Sequence, residues 1–404
     1  MSSSDALPEK VAVVIIGGGV WGTSTAYHLG LRGYTDVLLL EKNEIASGST
    51  TKSSGFLSHL SISREGLDLA GYSWSIYEQF HATGDIELHL LPTLIPVREG
   101  DPAVIKEIAK GIPHLQREAG CAVVSTYLDN PEKVLAYIPD LKAHAIAHLG
   151  NLEGALYCPD DAWVEPSLLA MSYVKHARKA GIDIRTGIEV TGIVVENNRV
   201  SAVETTAGTV RCECVVNAAG VWAPRIGHMV GLKIPVIPIV RGALKIRTLE
   251  TKQYTLPHYL DEIENMTERA GLSIRDDIDG YVAEHREIIL KGDALDPDNI
   301  DENYTYDDVE RLANKLDEFM PDFGEFEIMD GYNAVSDIVP DGGHIVDRVE
   351  HPEGMIICAG GCGEGISTSA GIGLLASQLV IDGRILFVKN PSLWSYSRSR
   401  FPGI

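Results

Sequence analysis

Val11-Ala12-Val13-Val14-Ile15-Ile16-Gly17-Gly18-Gly19-Val20-Trp21-Gly22, followed downstream by Val37-Leu38-Leu39-Leu40-Glu41, decides the fold of this chain. The apolar run reads as a buried parallel strand. Gly17 permits a tight turn, Gly19 lets backbone approach a pyrophosphate, and Gly22 lets the next helix pack close to the sheet. The N-terminus of that helix then faces phosphates with unpaired N–H groups. Glu41 ends the second strand about 20 residues beyond the glycines, where a carboxylate can accept from ribose hydroxyls. A carboxylate there also repels a 2′-phosphate, so NADP is disfavoured while NAD and FAD both remain.

Composition narrows the class. The 404 residues are 45% hydrophobic and 23% charged, enough for two domains with cores of their own. The formal net charge of −23 disfavours nucleic acid and anionic membrane surfaces as partners. Acidic residues are most concentrated from Asp293 to Glu310, which reads as a solvated face. No apolar run is long enough to span a membrane. Residues 1–8 lack a basic n-region and read as a disordered lead. Cysteines at 121, 158, 212, 214, 358 and 362 are too scattered for a disulfide framework. Cys212 and Cys214 lack a histidine pair, so no metal site is expected. A reducing compartment, the cytoplasm, is the expected location.

Further along, Trp21 to Leu31 reads as a helix stopped by Gly33. The loop Ala46-Ser47-Gly48-Ser49-Thr50-Thr51-Lys52-Ser53-Ser54-Gly55 offers hydroxyls and N–H groups to a phosphate. Helices are expected at Arg64 to Thr83, Asp101 to Glu118, Pro166 to Ala180 and Asp307 to Glu318. Strands are expected at Leu88 to Val97, Ile182 to Arg185, Glu189 to Glu196, Arg199 to Thr206 and Val210 to Val216. Asn217-Ala218-Ala219-Gly220-Val221-Trp222-Ala223-Pro224 are mostly small residues that let backbone come close to something. From 225 to about 328 the pattern changes to strand-like runs, including Ile234 to Thr248, Ser273 to Arg275 and Ile288 to Lys291, with no second glycine turn. Finally Met355 to Ala359 reads as a strand, Gly360-Gly361-Cys362-Gly363-Glu364-Gly365 as a turn, and Ile366 to Ile381 as a helix ended by Gly383. Two glycine turns that each feed a helix suggest one large, extended cofactor.

Three regions together resemble the D-amino-acid oxidase/sarcosine oxidase superfamily of FAD enzymes. They are the N-terminal turn with Glu41 and Ser47 to Thr50, the Asn217 to Pro224 segment, and the tail from Val339-Pro340-Asp341 to Gly383. The resemblance looks closest to the branch holding sarcosine oxidase, glycine oxidase and dimethylglycine dehydrogenase. It implies an α/β fold, α+β overall, with a Rossmann-like FAD domain (8–85, 150–225 and 329–392). An antiparallel-sheet substrate domain (86–149 and 226–328) would cover the flavin. Glu41 would bind ribose, Gly17, Gly19 and Gly22 the pyrophosphate, and Ser49 and Thr50 phosphate or ribityl oxygens. Residues Gly363 to Ser367 would lie beside the flavin ring. Val20, Trp21, Lys42, Ser47, Gly48, Lys52, Ser53, Ser54, Gly55, Val190, Ala218, Ala219, Gly220, Trp222, Gly361, Gly363, Glu364, Gly365, Ile366 and Ser367 complete the expected cofactor contacts.

The departures from the family pattern carry information of their own. Lys52 stands where relatives attach FAD to a histidine, and Ala334 where others attach it to a cysteine, so non-covalent FAD is expected. Ser336 stands in place of an Arg or Tyr, Ser367 in place of a Lys, and Glu364 in place of a His. Another arginine, Arg275 or Arg241, then binds a substrate carboxylate, or the substrate is a cationic or larger amine drawn to Glu364. The implied reaction is hydride transfer from a C–H beside nitrogen to flavin N5, giving an imine that hydrolyses. His59, Arg275 and Glu364 are the expected catalytic residues, with Tyr281 and Tyr332 as further candidates. Oxygen, or a quinone or partner protein, would take the electrons, with Lys291 a candidate oxygen-activating group. Two other readings stand: a dye-linked dehydrogenase subunit acting on proline-type amino acids, and a non-catalytic flavin-binding subunit. The oligomeric state is left open, a homo-oligomer included.

Overall fold

The computed structural model describes residues 6–61, 63–137, 152–249, 258–260, 271–277, 280–286, 296–299, 301, 303–319, 324–387 and 397–401. Val13–Ile16 lies inside a six-stranded sheet. The spatial order is Ile345–Arg348, Met355–Ala359, Cys214–Asn217, Val13–Ile16, Val37–Leu40 and Asp183–Arg185. Neighbours are parallel except for the edge strand Ile345–Arg348.

Alternate residues of these strands divide between two cores. Val13, Ile15, Val37, Leu39, Val216 and Ile356 pack against the helices Val20–Leu31, Arg64–Ala82, Pro166–Ala180 and Ser369–Ile381. Val14, Ile16, Leu38, Leu40, Val215 and Ile357 pack against an antiparallel meander of Val190–Glu196, Arg199–Thr205 and Gly208–Arg211. Both faces are covered, which is why the strands read as unbroken apolar runs instead of alternating ones. Burial of each such side chain contributes about 1.5–3 kcal/mol. Gly181, at φ 103°, ends the Pro166–Ala180 helix in the left-handed region, and Asn197-Asn198, at φ 51° and 62°, form the turn of the meander.

A second sheet of eight strands runs Phe326–Ile338, Ile237–Thr248, Gly280–Arg286, Gly271–Asp277, His258–Leu260, Thr93–Arg98, Leu152–Cys158 and Thr126–Leu128. It is antiparallel except where His258–Leu260 meets Thr93–Arg98. Leu244, Ile246, Ile274, Tyr281 and Ala283 on one face pack with Leu312 and Leu316 of the helix Tyr306–Phe319.

Five segments differ from the sequence expectation. Val210 to Val216 is two strands: Gly208–Arg211 closes the meander, and Cys214–Asn217 enters the parallel sheet. The chain changes sheets at Cys212 and Glu213, yet Val210 and Val215 share one core, so their burial reads as continuous. Leu88 to Val97 is interrupted at Leu91-Pro92, because proline has no N–H for a ladder. His89–Leu90 then pairs with Ala162–Trp163, and Thr93–Arg98 joins the large sheet. The last helix starts at Ser369, preceded by turns in which Glu364 N donates to Gly361 O and Thr368 N to Glu364 O. Strand Leu152–Cys158 and residues 329–338 pair within the large sheet, although the sequence reading grouped them with the first domain. Residues 288–291, expected as strand, lie outside the described residues.

Candidate active site

The N-terminal turn is built by backbone contact. Gly17 has φ 111°, and a Cβ there would lie 2.4 Å from Ala218 O. A Cβ on Gly22 would lie 2.0 Å from Gly17 O, so this glycine serves the helix-to-sheet approach. Gly19 is different: a Cβ would meet only Thr50 Oγ1, at 3.4 Å. The protein leaves the space beside Gly19 open. Glu41 is oriented by two backbone donors, Gly18 N to Oε2 at 2.6 Å and Asn43 N to Oε1 at 2.8 Å. A carboxylate retains lone pairs for further donors beyond these. Thr50 Oγ1 accepts from Val20 N at 3.0 Å, and Ser49 Oγ donates to Val335 O at 2.5 Å, which pins the hydroxyl-rich loop to the helix and to the large sheet.

These elements enclose a cavity of about 420 Å³. Its wall includes Gly17, Gly19, Val20 and Trp21 of the turn, Glu41 and Lys42 after the second strand, and Ser47, Gly48, Ser49, Thr50, Lys52 and Ser53 of the loop. Val190, Ala218, Ala219, Gly220 and Trp222 line it as well, as do Gly361, Gly363, Gly365 and Ile366 of the C-terminal turn. Segments hundreds of residues apart therefore meet on one space.

The remaining expected residues are held elsewhere. Gly22 lies behind the turn. Gly55 has φ 71°, and a Cβ there would lie 1.9 Å from Val164 O. Ser54 O accepts from Arg275 Nη2 at 2.8 Å. Ser367 Oγ accepts from Ser58 N at 3.0 Å and so ties the C-terminal loop to residue 58. His59 is bound to the buried Asp161 through its backbone N (2.8 Å) and Nδ1 (3.2 Å), and its ring lies 3.9 Å from that of Trp74. Cys158 Sγ and Ser58 Oγ also donate to Asp161, so the His59–Cys158–Asp161 cluster is accounted for by hydrogen bonds to one carboxylate. Arg275 is buried, with its guanidinium 4.3 Å from the Trp163 ring centroid. Tyr281 packs in the core beneath the large sheet, on the face that meets Tyr306–Phe319.

The C-terminal glycine turn is suspended from four directions. Asp337 Oδ2 accepts from Gly360 N (2.9 Å) and Gly361 N (2.8 Å), so those two N–H groups serve the turn itself. Trp21 Nε1 donates to Gly365 O at 2.8 Å. Tyr77 O–H donates to Ile366 O at 2.6 Å. From the large sheet, Arg241 reaches the turn: a Cβ on Gly363 would lie 2.9 Å from its Nη1. Arg241 is paired with Ala334, and Ala243 beside it with Tyr332, so Arg241, Ala334 and Tyr332 share a sheet face.

The titratable groups around this turn are perturbed. Glu364 has an open side chain, 65% exposed, within a surrounding mass of protein whose burial raises its pKa. Burial likewise raises the Asp337 carboxyl despite its backbone donors, and it lowers the pKa of His344, whose Nδ1 lies 2.7 Å from Gly360 O. Asp337, Arg225, Pro297 and Asp298 line the cavity and escaped the sequence reading. Pro297 and Asp298 come from a part of the chain far from either glycine turn, whereas Arg225 directly follows the small-residue segment Asn217 to Pro224 and Asp337 directly follows Ser336. Lys291 lies outside the described residues.

The chain matches the FAD dependent oxidoreductase (DAO) family over residues 12–379 and belongs to it. FAD is therefore the expected cofactor, and the open cradle at Gly19, the oriented Glu41 and the cavity that joins both glycine turns fit it. Among curated relatives, the mitochondrial pyruvate dehydrogenase phosphatase regulatory subunit of Mus musculus is 28% identical over 98% of this chain and 44% of its own length. Human mitochondrial dimethylglycine dehydrogenase is 28% identical over 72% of this chain and 31% of its own length. This chain thus spans less than half the length of these relatives. In fold it is similar to L-proline dehydrogenase from P. horikoshii, with TM-score 0.82, 22% identity and 98% of both chains covered. It is also similar to glycine oxidase from Bacillus cereus ATCC 14579, with TM-score 0.73, 23% identity, and 93% and 96% covered. No helix among the described residues is long and apolar enough to cross a membrane.

Proposed function

We propose that this chain is a flavoenzyme oxidising the C–N bond of an amino acid or N-alkyl amino acid with non-covalently held FAD. The observation that carries the reading is the position of Arg241. Its guanidinium reaches from the large sheet to Gly363 of the glycine turn, a residue that lines the cavity. A guanidinium there can hold a substrate carboxylate in bidentate fashion, and Glu364 beside it can receive the amine. FAD, when bound, supplies the two-electron acceptor. The protein's own tasks are orientation and exclusion of water: Arg241 fixes the carboxylate, the large sheet covers the reacting carbon, and the tethered turn holds the cofactor end in place.

Lys52 lines the cavity and Ala334 ends in a methyl group, which supports a cofactor without a covalent link. The large sheet with its helix Tyr306–Phe319 would be the substrate region, and the parallel sheet with its helices the FAD region. Six free thiols fit a reducing compartment such as the cytoplasm. The test is the visible spectrum of the purified protein before and after acid precipitation, followed by anaerobic titration with amino acids. FAD in the supernatant and bleaching by a substrate are expected; a yellow pellet would refute the non-covalent link.

A second reading is a flavin-binding regulatory subunit, favoured by the likeness to a phosphatase regulatory subunit over 98% of this chain. FAD that is released by acid but bleached by no amino acid or amine would favour it. Peroxide formation in air would identify oxygen as acceptor, and its absence a dehydrogenase.

A further inference from the structure

The cavity is bridged near its Glu41 end by one carboxylate. Asp298 Oδ1 accepts from Lys42 Nζ at 2.9 Å and from Trp222 Nε1 at 2.7 Å, and Oδ2 accepts from Arg225. Arg225 also binds Asp296. The two walls concerned are separate: Lys42 follows the strand Val37–Leu40, and Trp222 and Arg225 follow Cys214–Asn217. Lys42 Nζ additionally sits 3.8 Å from the Trp222 ring centroid, so cation, indole and carboxylate form a closed set. The turn that carries Asp298 is internally braced, with Asn299 N donating to Asp296 O at 3.0 Å and Asn299 Nδ2 to Asp296 Oδ2 at 2.6 Å. Pro297 and Asp298 themselves line the cavity.

We infer that residues 296–299 are a latch over the adenosine end of FAD, and that the cofactor leaves only when the Lys42–Asp298–Arg225 bridge opens. The inference rests on the FAD reading of the cavity and adds the route by which the cofactor is retained. Physical chemistry supports it in two ways. Burial pushes the Asp298 carboxyl up, but the donors Arg225, Lys42 and Trp222 outweigh this and hold it well below the usual carboxylate range, so the bridge is charged at any working pH. The side chains are also partly exposed, 27% for Lys42 and 43% for Asp298. Salt therefore screens the bridge.

The experiment follows release of FAD from the purified holoprotein by the rise in flavin fluorescence after dilution, at about 0.05 and about 1 M NaCl. In the wild type, salt should speed release several-fold. Asp298→Ala should release about tenfold faster at low salt and lose most of its salt dependence. Asp298→Asn keeps the acceptor for Trp222 and should fall between them. Melting curves of both variants would report whether the fold is retained. A wild-type rate that ignores salt overturns the latch without any variant, as do equal rates in wild type and Asp298→Ala. Wild-type protein that takes up no FAD at all would overturn the cofactor reading, a distinct result.

Discussion

Trp21 Nε1 and the carbonyl of Gly365 are hydrogen-bonded at 2.8 Å across 344 residues of sequence. The first turn of the helix Val20–Leu31 is thereby fixed to the glycine turn at the opposite end of the chain. The Trp21 ring is buried and stands edge-on to His344, with centroids 5.2 Å apart, so packing holds the donor in line. Trp21→Phe keeps most of the packing but leaves the carbonyl without this donor, at a cost of about 1–3 kcal/mol. A lower melting temperature together with weaker FAD binding is the expected result. Loss of stability with unchanged FAD affinity would show that the bond holds the fold alone.

The second and third glycines of the GxGxxG motif should respond differently to substitution. Gly19→Val introduces a side chain where the protein itself offers only Thr50 Oγ1 at 3.4 Å. The variant should fold with a near-normal melting temperature and be colourless. Gly22→Ala puts a methyl 2.0 Å from Gly17 O and should destabilise the protein whether or not FAD is present. A yellow Gly19→Val protein would mean that the pyrophosphate path runs elsewhere.

Stability should fall in mild acid because of His28. Its ring is buried, with Nδ1 2.7 Å from Ser24 O and Nε2 3.1 Å from the Tyr72 hydroxyl, an arrangement that suits a neutral imidazole. Burial lowers its pKa from 6.5 to about 4. The unfolded chain binds the proton near pH 6.5 and the folded chain near pH 4. The contribution is therefore complete above 6.5, declines as the pH falls between these values, and is gone below about 4. The full loss amounts to about 3 kcal/mol. Urea midpoints from pH 7.5 to 4.5 would measure it, and His28→Gln should flatten the slope by about one proton. An unchanged slope would place the titration on other groups.

Arg241 and Glu364 can be separated by substrate choice. Arg241→Met should raise KM for amino acids by about 10–100-fold and leave amines without a carboxylate nearly unaffected. Glu364→Gln should change the preference between cationic amines and zwitterionic amino acids. Equal losses for both substrate classes in each variant would remove these residues from recognition.

The local chemistry of the sequence determined the strand–turn–helix–strand unit at the start of this protein. Strand, glycines, helix and Glu41 lie within 31 residues, and each requirement is met by near neighbours: a sharp turn at Gly17, a close helix at Gly22, a carboxylate at the next strand end. The open surface beside Gly19 was legible for the same reason. Glycine spacing likewise marked the C-terminal turn, but not what holds it. Asp337, Trp21, Tyr77 and Arg241 reach that turn from four separate elements, and sequence periodicity carries no record of such pairings. His59 shows the converse. It lies just beyond the hydroxyl-rich loop in sequence, yet the fold commits its ring and backbone to Asp161, which immediately precedes the strand Ala162–Trp163. Only tertiary structure decided these cases, because the energy of a buried hydrogen bond or ion pair depends on which groups the packed sheets bring within about 3 Å, and the one-dimensional pattern fixes merely which faces are apolar.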